Sequence, residues 1–220
     1  WSGTTSFNGT VSVFEGGPSG LDSAAAWTVE GASENAGLGW SADGAGDING
    51  DGYDDVVLGA WQQTGDLDTQ GALHVWYGGP SGLSPGGPDW TAWGGAVGGQ
   101  LGASVRAAGD VNGDGYADIV AGAPGTLGVG AASVWLGGAG GLGLVPDWSI
   151  AGTSGNLGWA VSGAGDVNAD GYDDILVGDP TWSTTYNRQG KAQLFLGGPS
   201  GPSQTADWSW TGDSAGVEVG

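Results

Sequence analysis

Asp110-Val-Asn112-Gly-Asp114-Gly-Tyr116-Ala-Asp118 runs directly into Ile-Val-Ala-Gly122, and this pairing of an acidic loop with a short apolar run decides how the chain reads. The same loop occurs twice more, as Asp47-Ile-Asn49-Gly-Asp51-Gly-Tyr53-Asp-Asp55 and Asp166-Val-Asn168-Ala-Asp170-Gly-Tyr172-Asp-Asp174. Oxygen side chains fall at positions 1, 3, 5 and 9, with glycine at position 6. Alternating oxygen donors around a sharp turn make a cage for a hard cation, and calcium, with about 6–8 oxygens at about 2.3–2.6 Å, fits that donor set best. The tyrosine at position 7 offers its backbone carbonyl, its ring is expected to anchor the loop to the core, and waters complete the shell. The expectation is about three Ca²⁺ per chain. The competing reading is an Asx-turn hairpin whose side chains satisfy local backbone groups.

The loop is not an EF-hand, which needs a bidentate Glu at position 12 and flanking helices. Position 12 is Leu58, Ala121 and Val177, within β-branched runs that read as short buried strands.

Further landmarks recur in step. Segments resembling Gly-x-x-x-Val-Trp-x-Gly-Gly-Pro-Ser-Gly-Leu start at Gly9, Gly71, Gly130 and Gly190, separated by 62, 59 and 60 residues. A tryptophan follows each at 27, 90, 148 and 208, and Leu-Gly precedes each acidic loop at 38, 101 and 157. One period contains four strand candidates, at 38–45, 55–60, 72–77 and 89–93, and no stretch keeps a helical apolar period. Four strands per repeat, arranged radially, make a β-propeller blade. The 51 glycines suit its tight turns.

The stretch Gly-Asp-Val-Asn-Gly-Asp-Gly-Tyr-x-Asp-Ile-Val-x-Gly-Ala-Pro at 109–124 resembles the FG-GAP repeat of integrin α-subunit head propellers and of secreted bacterial proteins. The resemblance implies an all-β fold of four-stranded antiparallel blades, with calcium in the loop between the first two strands. The ligand positions it implies are Asp47, Asn49, Asp51, Tyr53 and Asp55; Asp110, Asn112, Asp114, Tyr116 and Asp118; and Asp166, Asn168, Asp170, Tyr172 and Asp174. Gly-Ala-Trp61 and Gly-Asp-Pro180 depart from the family's Gly-Ala-Pro, and Leu-Gly replaces its Phe-Gly.

The chain is expected to form one repeat domain of about three and a half repeats: a trailing half blade at 1–36, blades at 37–98, 99–154 and 155–213, and the start of a further repeat at 214–220. Closed propellers have about 4–8 blades, so the expectation is either a segment of a longer chain, several copies completing one another, a small four-blade ring, or head-to-tail growth. Two copies would supply seven blades by count.

Arg106, Arg188 and Lys191 are the only cations against 24 acidic residues, a formal charge of −21 that three divalent cations would bring to about −15. Such a surface disfavours nucleic acid, which needs Lys and Arg. No apolar run is long enough for a membrane span, and without cysteine no disulfide can form. Calcium is the expected staple in an extracellular or cell-surface setting. The sole histidine, His74, sits where other repeats have Ser12, Ser133 and Gln193, and is expected to be an outward-facing polar residue. No nucleophile elbow or histidine cluster appears, so no enzymatic activity is expected.

Most of the 13 tryptophans share slots, which predicts packing between blades: 27, 90, 148 and 208 in one, 76 and 135 with Phe14 and Phe195 in another, 40 and 159 in a third. Trp93 and Trp210 stand apart in the last strand, and Trp61 and Trp182, with Tyr186 and Arg188, lie on or beside the long loops 61–70 and 180–190 as candidate ligand contacts. The reading favoured is a calcium-stabilised extracellular structural or assembly protein, a surface or filament-type subunit that self-associates or binds other protein chains. The alternative is an adhesin or lectin-like module taking a carbohydrate or protein ligand.

Overall fold

The computed structural model describes residues 7–220; the first six residues of the expected half blade lie outside the described residues. Sixteen strands follow in chain order. A leading half blade holds β1 (Thr10–Val13), β2 (Gly16–Gly17), β3 (Gly20–Leu21) and β4 (Trp27–Glu30). The first full blade has β5 (Leu38–Gly46), β6 (Asp55–Ala60), β7 (Ala72–Trp76) and β8 (Trp90–Trp93). The second has β9 (Ser104–Gly109), β10 (Asp118–Gly122), β11 (Ala131–Trp135) and β12 (Trp148–Ala151). The third has β13 (Ala160–Gly165), β14 (Asp174–Asp179), β15 (Lys191–Phe195) and β16 (Trp208–Thr211). Each full blade is an antiparallel meander in sequence order, β1 pairs with β4, and β2 with β3 form a small ribbon on the connection between them. The fold is all-β, with a single 3₁₀ turn at Thr126–Gly128 among the described residues. None of the described helices is long and apolar enough to cross a membrane.

The core lies between blades, in three layers. One joins Trp27 and Leu38 to Leu58, Ala60 and Trp76. The next joins Val57, Leu73, Val75 and Trp90 to Ile119, Ala121 and Trp135. The last joins Val120, Ala132, Val134 and Trp148 to Ile175, Val177 and Phe195. Neighbouring residues of one strand thus serve opposite layers: Val57 faces forward and Leu58 backward. This is why β6 and β10 read as unbroken apolar runs, each being buried on both faces. Close approach requires glycine where blades touch, because a Cβ on Gly122 would run into the Gly158 carbonyl. Across the same gaps, Ser41 and Ser104 donate from Oγ to the carbonyls of Gly102 and Gly158, each at 2.8 Å. First strands pack on one another, β9 lying against both β5 and β13.

His74 is buried rather than outward-facing. Its Nδ1 lies 2.9 Å from Thr91 Oγ1 and its Nε2 2.7 Å from Gln63 Oε1. The same cross-strand polar pair recurs as Ser12–Thr28 at 3.0 Å and Ser133–Ser149 at 2.8 Å. His74 differs because Val29, Gly31 and Leu38 close over it, lining a small cavity with Trp76. Burial holds its imidazole down to a pKa of about 4.

Candidate metal loops and aromatic surfaces

The three acidic loops join the first and second strands of the full blades, and the first two repeat one another bond for bond. Asp47 accepts the amides of Gly50 and Asp51 on Oδ1, at 2.7 and 3.1 Å, and that of Gly52 on Oδ2 at 2.8 Å. Asn49 Oδ1 accepts the Asp51 amide at 2.9 Å, its Nδ2 donates to Asp51 Oδ2 at 3.1 Å, and Asp51 Oδ1 accepts the Tyr53 amide at 3.0 Å. Asp110, Asn112 and Asp114 form the same set, and Asp166, Asn168 and Asp170 nearly so.

Position 9 does a different job. Asp55, Asp118 and Asp174 are buried. Their Oδ2 atoms accept the amides of Ile48, Val111 and Val167, each at 2.8 Å. Their Oδ1 atoms accept the amides of Gly78, Gly137 and Gly197, again at 2.8 Å. One carboxylate therefore ties the loop to the turn leaving the third strand. Burial raises the pKa of Asp55, with the charges of Asp51 and Asp47 adding to the shift and the two amides opposing it. Asp118 is pushed up to about 7 by burial first, against the Gly137 and Val111 amides, with Asp114 and Asp110 adding.

Among the described residues no three acidic or imidazole side chains form a ready-made metal cage, and the Asp47 acceptors are engaged by the loop's own amides. The donor set is nonetheless that of a hard-cation site: three carboxylates, one amide oxygen and a carbonyl per loop. The single ion pair among the described residues is Arg188–Glu218, at 2.8 Å. None of the nine carboxylates at loop positions 1, 5 and 9 is ion-paired, and the neighbouring charges raise the proton affinity of Asp55 and Asp118. A cation fits the electrostatics that the protein leaves unbalanced.

Adjacent loops also touch. The Asp173 and Ala117 amides donate to the Asp110 and Asp47 carbonyls, at 3.0 and 3.1 Å. The tyrosine rings do not simply anchor their own loops to the core. Tyr116 lies on Gly50 and Tyr172 on Gly113, where an added Cβ would come within 2.5 and 2.7 Å of the ring. Tyr53 is 42% exposed.

The candidate ligand residues divide between two places. Trp61 packs on Trp40 at 5.0 Å, and its indole nitrogen is buried without a hydrogen-bond partner. Trp182 lies under Lys191, whose Nζ is 5.3 Å from the ring centroid. Nearby, Tyr186 and Arg188 are held through Gln189 and Ser183, and Arg188 pairs with Glu218. Trp40 and Trp159, expected between blades, are instead 55% and 58% exposed. With Trp61, Gln100 and Ala103 they line one cavity. The clue in the sequence was Ala103, a small residue in the slot between two tryptophans.

The FG-GAP repeat model matches residues 38–76, 101–136 and 157–195. Integrin alpha-6 of Homo sapiens is 32% identical over 146 residues, 64% of this chain and 12% of that protein. Integrin alpha-IIb of Mus musculus is 33% identical over 144 residues, 60% of this chain and 14% of that protein. A phosphatidylinositol-glycan-specific phospholipase D of Homo sapiens is 31% identical over 180 residues, 74% of this chain and 21% of that protein. The chain thus spans about a fifth or less of the length of these relatives.

Proposed function

The chain belongs to the FG-GAP repeat family, and from that premise we propose that it is a calcium-stabilised, non-enzymatic propeller module that works by associating with other protein chains outside the cell. The observation that carries the calcium reading is the set of nine carboxylates at loop positions 1, 5 and 9 without an ion pair. Asp47, Asn49, Asp51, Asp55 and the Tyr53 carbonyl would hold the ion in the first loop, and their counterparts in the other two. Bound calcium supplies the positive charge that each loop lacks. The chain's own part is to fix the first hairpin of each full blade and, through the position-9 carboxylate, the turn after its third strand. Folding and metal binding are then coupled.

The likeness to integrin alpha subunits supports an extracellular or surface setting and a protein partner. The repeat is shared by integrins and a phospholipase D alike, which favours a scaffold over a catalyst. His74, committed to Thr91 and Gln63 inside a blade, offers no free base.

The test is calcium stoichiometry by native mass spectrometry, joined to melting with and without chelator. About three ions per chain are expected, and removing them should lower the melting temperature. Replacing Asp51, Asp114 and Asp170 together by Ala should abolish the calcium dependence. Identical melting with and without chelator would overturn the proposal.

A second reading rests on the exposed Trp40 and Trp159 beside Trp61. Indole faces bordering one cavity suit the apolar face of a sugar ring. Quenching of tryptophan fluorescence by a glycan that is lost in Trp159→Ala would favour this adhesin-like role.

A further inference from the structure

Trp93 ends the fourth strand of the first full blade and meets the loop 61–70, which joins β6 to β7. Gly65 of that loop lies close to the Trp93 ring and to Gln70 Nε2, so that an added Cβ would come within 2.9 and 2.5 Å of them. Gln70 is 3% exposed, and its Oε1 accepts the Leu67 amide at 3.1 Å, which fixes the loop's turn. Gly65, Asp66, Leu67, Gln70, Trp93 and Gly94 line a cleft of about 350 Å³. All six come from one blade, so the cleft is complete without a neighbour.

The third full blade separates what holds this loop from what is added to it. Its loop has the same length from Thr181 to Gly190, and Gln189 Oε1 accepts the Tyr186 amide at 2.8 Å, as Gln70 does for Leu67. The positions of Gly65, Asp66 and Trp93 are there Thr184, Thr185 and Thr211. Thr184 donates to Gln189 Oε1 at 3.4 Å, and Gln189 Nε2 donates to the Gly212 carbonyl at 3.3 Å. The loop is thus held without a tryptophan, and its glutamine is fully engaged. In the second blade the loop shrinks to a 3₁₀ turn, with Val129 and Ala151 at the positions of Gln70 and Trp93. Only the first full blade combines an indole, a carboxylate and an amide donor. Among the described residues neither the Asp66 carboxylate nor Gln70 Nε2 has a hydrogen-bond partner.

We propose that this cleft binds a neutral sugar, a function beyond the calcium and assembly readings and separate from the cavity beside Trp61. The inventory of donors and acceptors selects the ligand. Asp66 only accepts and Gln70 Nε2 only donates, whereas a hydroxyl does both, so adjacent sugar hydroxyls satisfy the pair. The C–H face of the same ring lies on Trp93, which is 46% exposed. An acidic sugar would set its carboxylate against Asp66 on a chain of formal charge −21. An ammonium ligand would suit Asp66 and the indole but leave Gln70 Nε2 without an acceptor.

Saturation-transfer NMR in calcium tests the site, with the methyl glycosides of glucose, galactose and mannose as probes and glucuronate and tetramethylammonium as contrasts. At least one glycoside should bind, and neither charged probe should displace it. Trp93→Ala should abolish that binding, and Asp66→Ala, at an exposed loop position, should weaken it about tenfold or more. Trp159→Ala should leave it unchanged, which separates this cleft from the cavity beside Trp61. Melting in calcium checks that Trp93→Ala folds, and Asp66→Ala decides the matter if it does not. Binding of no glycoside, binding unchanged by a folded variant at Trp93 or Asp66, or displacement by glucuronate or tetramethylammonium would overturn the proposal.

Discussion

The Asp110 amide donates to the Asp173 carboxylate at 2.8 Å, and the Asp173 amide answers with a 3.0 Å bond to the Asp110 carbonyl. The second and third acidic loops are therefore one hydrogen-bonded unit. Between the first and second, Ala117 takes the place of Asp173 and provides only the amide half, to the Asp47 carbonyl at 3.1 Å. Asp173→Ala should make the second pair resemble the first and cost about 1–2 kcal/mol in denaturant unfolding. No change in midpoint would show that the pair contributes nothing net.

Ala169 holds a φ of +61° at the loop position where Gly50 and Gly113 stand at +75° and +73°. A left-handed conformation strains an L-residue with a Cβ. Ala169→Gly should therefore stabilise the chain by about 1 kcal/mol, read as a raised melting temperature in calcium.

His74 makes stability depend on acid in a defined window. Its folded pKa of about 4 lies below the ordinary value of 6.5, so between these values the unfolded chain takes up a proton that the folded chain refuses. Stability should fall as pH drops through this range, by about 1.4 kcal/mol at pH 5.5. His74→Ser, which copies the residue at 12 and 133, should remove this component. The difference between the two unfolding curves at pH 7.5 and 5.5 isolates it from the carboxylates common to both proteins.

Trp90→Phe should loosen the layer between the first two full blades. It removes the indole N–H held by the Gly143 carbonyl at 3.1 Å but keeps an aromatic ring against Trp135. The carbonyl can turn to water at the layer's edge, so the expected cost is about 1–3 kcal/mol. The same change at Trp208 should leave the melting of monomeric chain unaltered.

The strands were legible because their signals are local. Apolar residues of 55–60 are bounded by an acidic turn and by glycine, and β6 spans those same residues, Asp55–Ala60. The recurrence of Asp, Asn and Gly likewise located the three loops. What the sequence could not show is which face of a blade is covered, since that depends on a neighbour about sixty residues away. Trp148 and Trp208 occupy the same slot, yet one is 3% and the other 52% exposed. His74 looked like a surface residue beside Ser133 because part of its cover, Val29 and Gly31, comes from the preceding repeat. The second role of the position-9 carboxylate was hidden for the same reason: its partner amide at Gly78 lies 23 residues on.

The meander of each full blade has a temporal meaning. All four strands of the first come from the single run Leu38–Trp93, and each pairs with the strand just before or after it. No strand waits for a partner from a distant part of the chain, so loop closure within a blade never exceeds a hairpin. A ribosome delivering this chain releases one closable sheet before it begins the next, and synthesis halted shortly after Trp93 already presents a complete template on which the following sheet can condense.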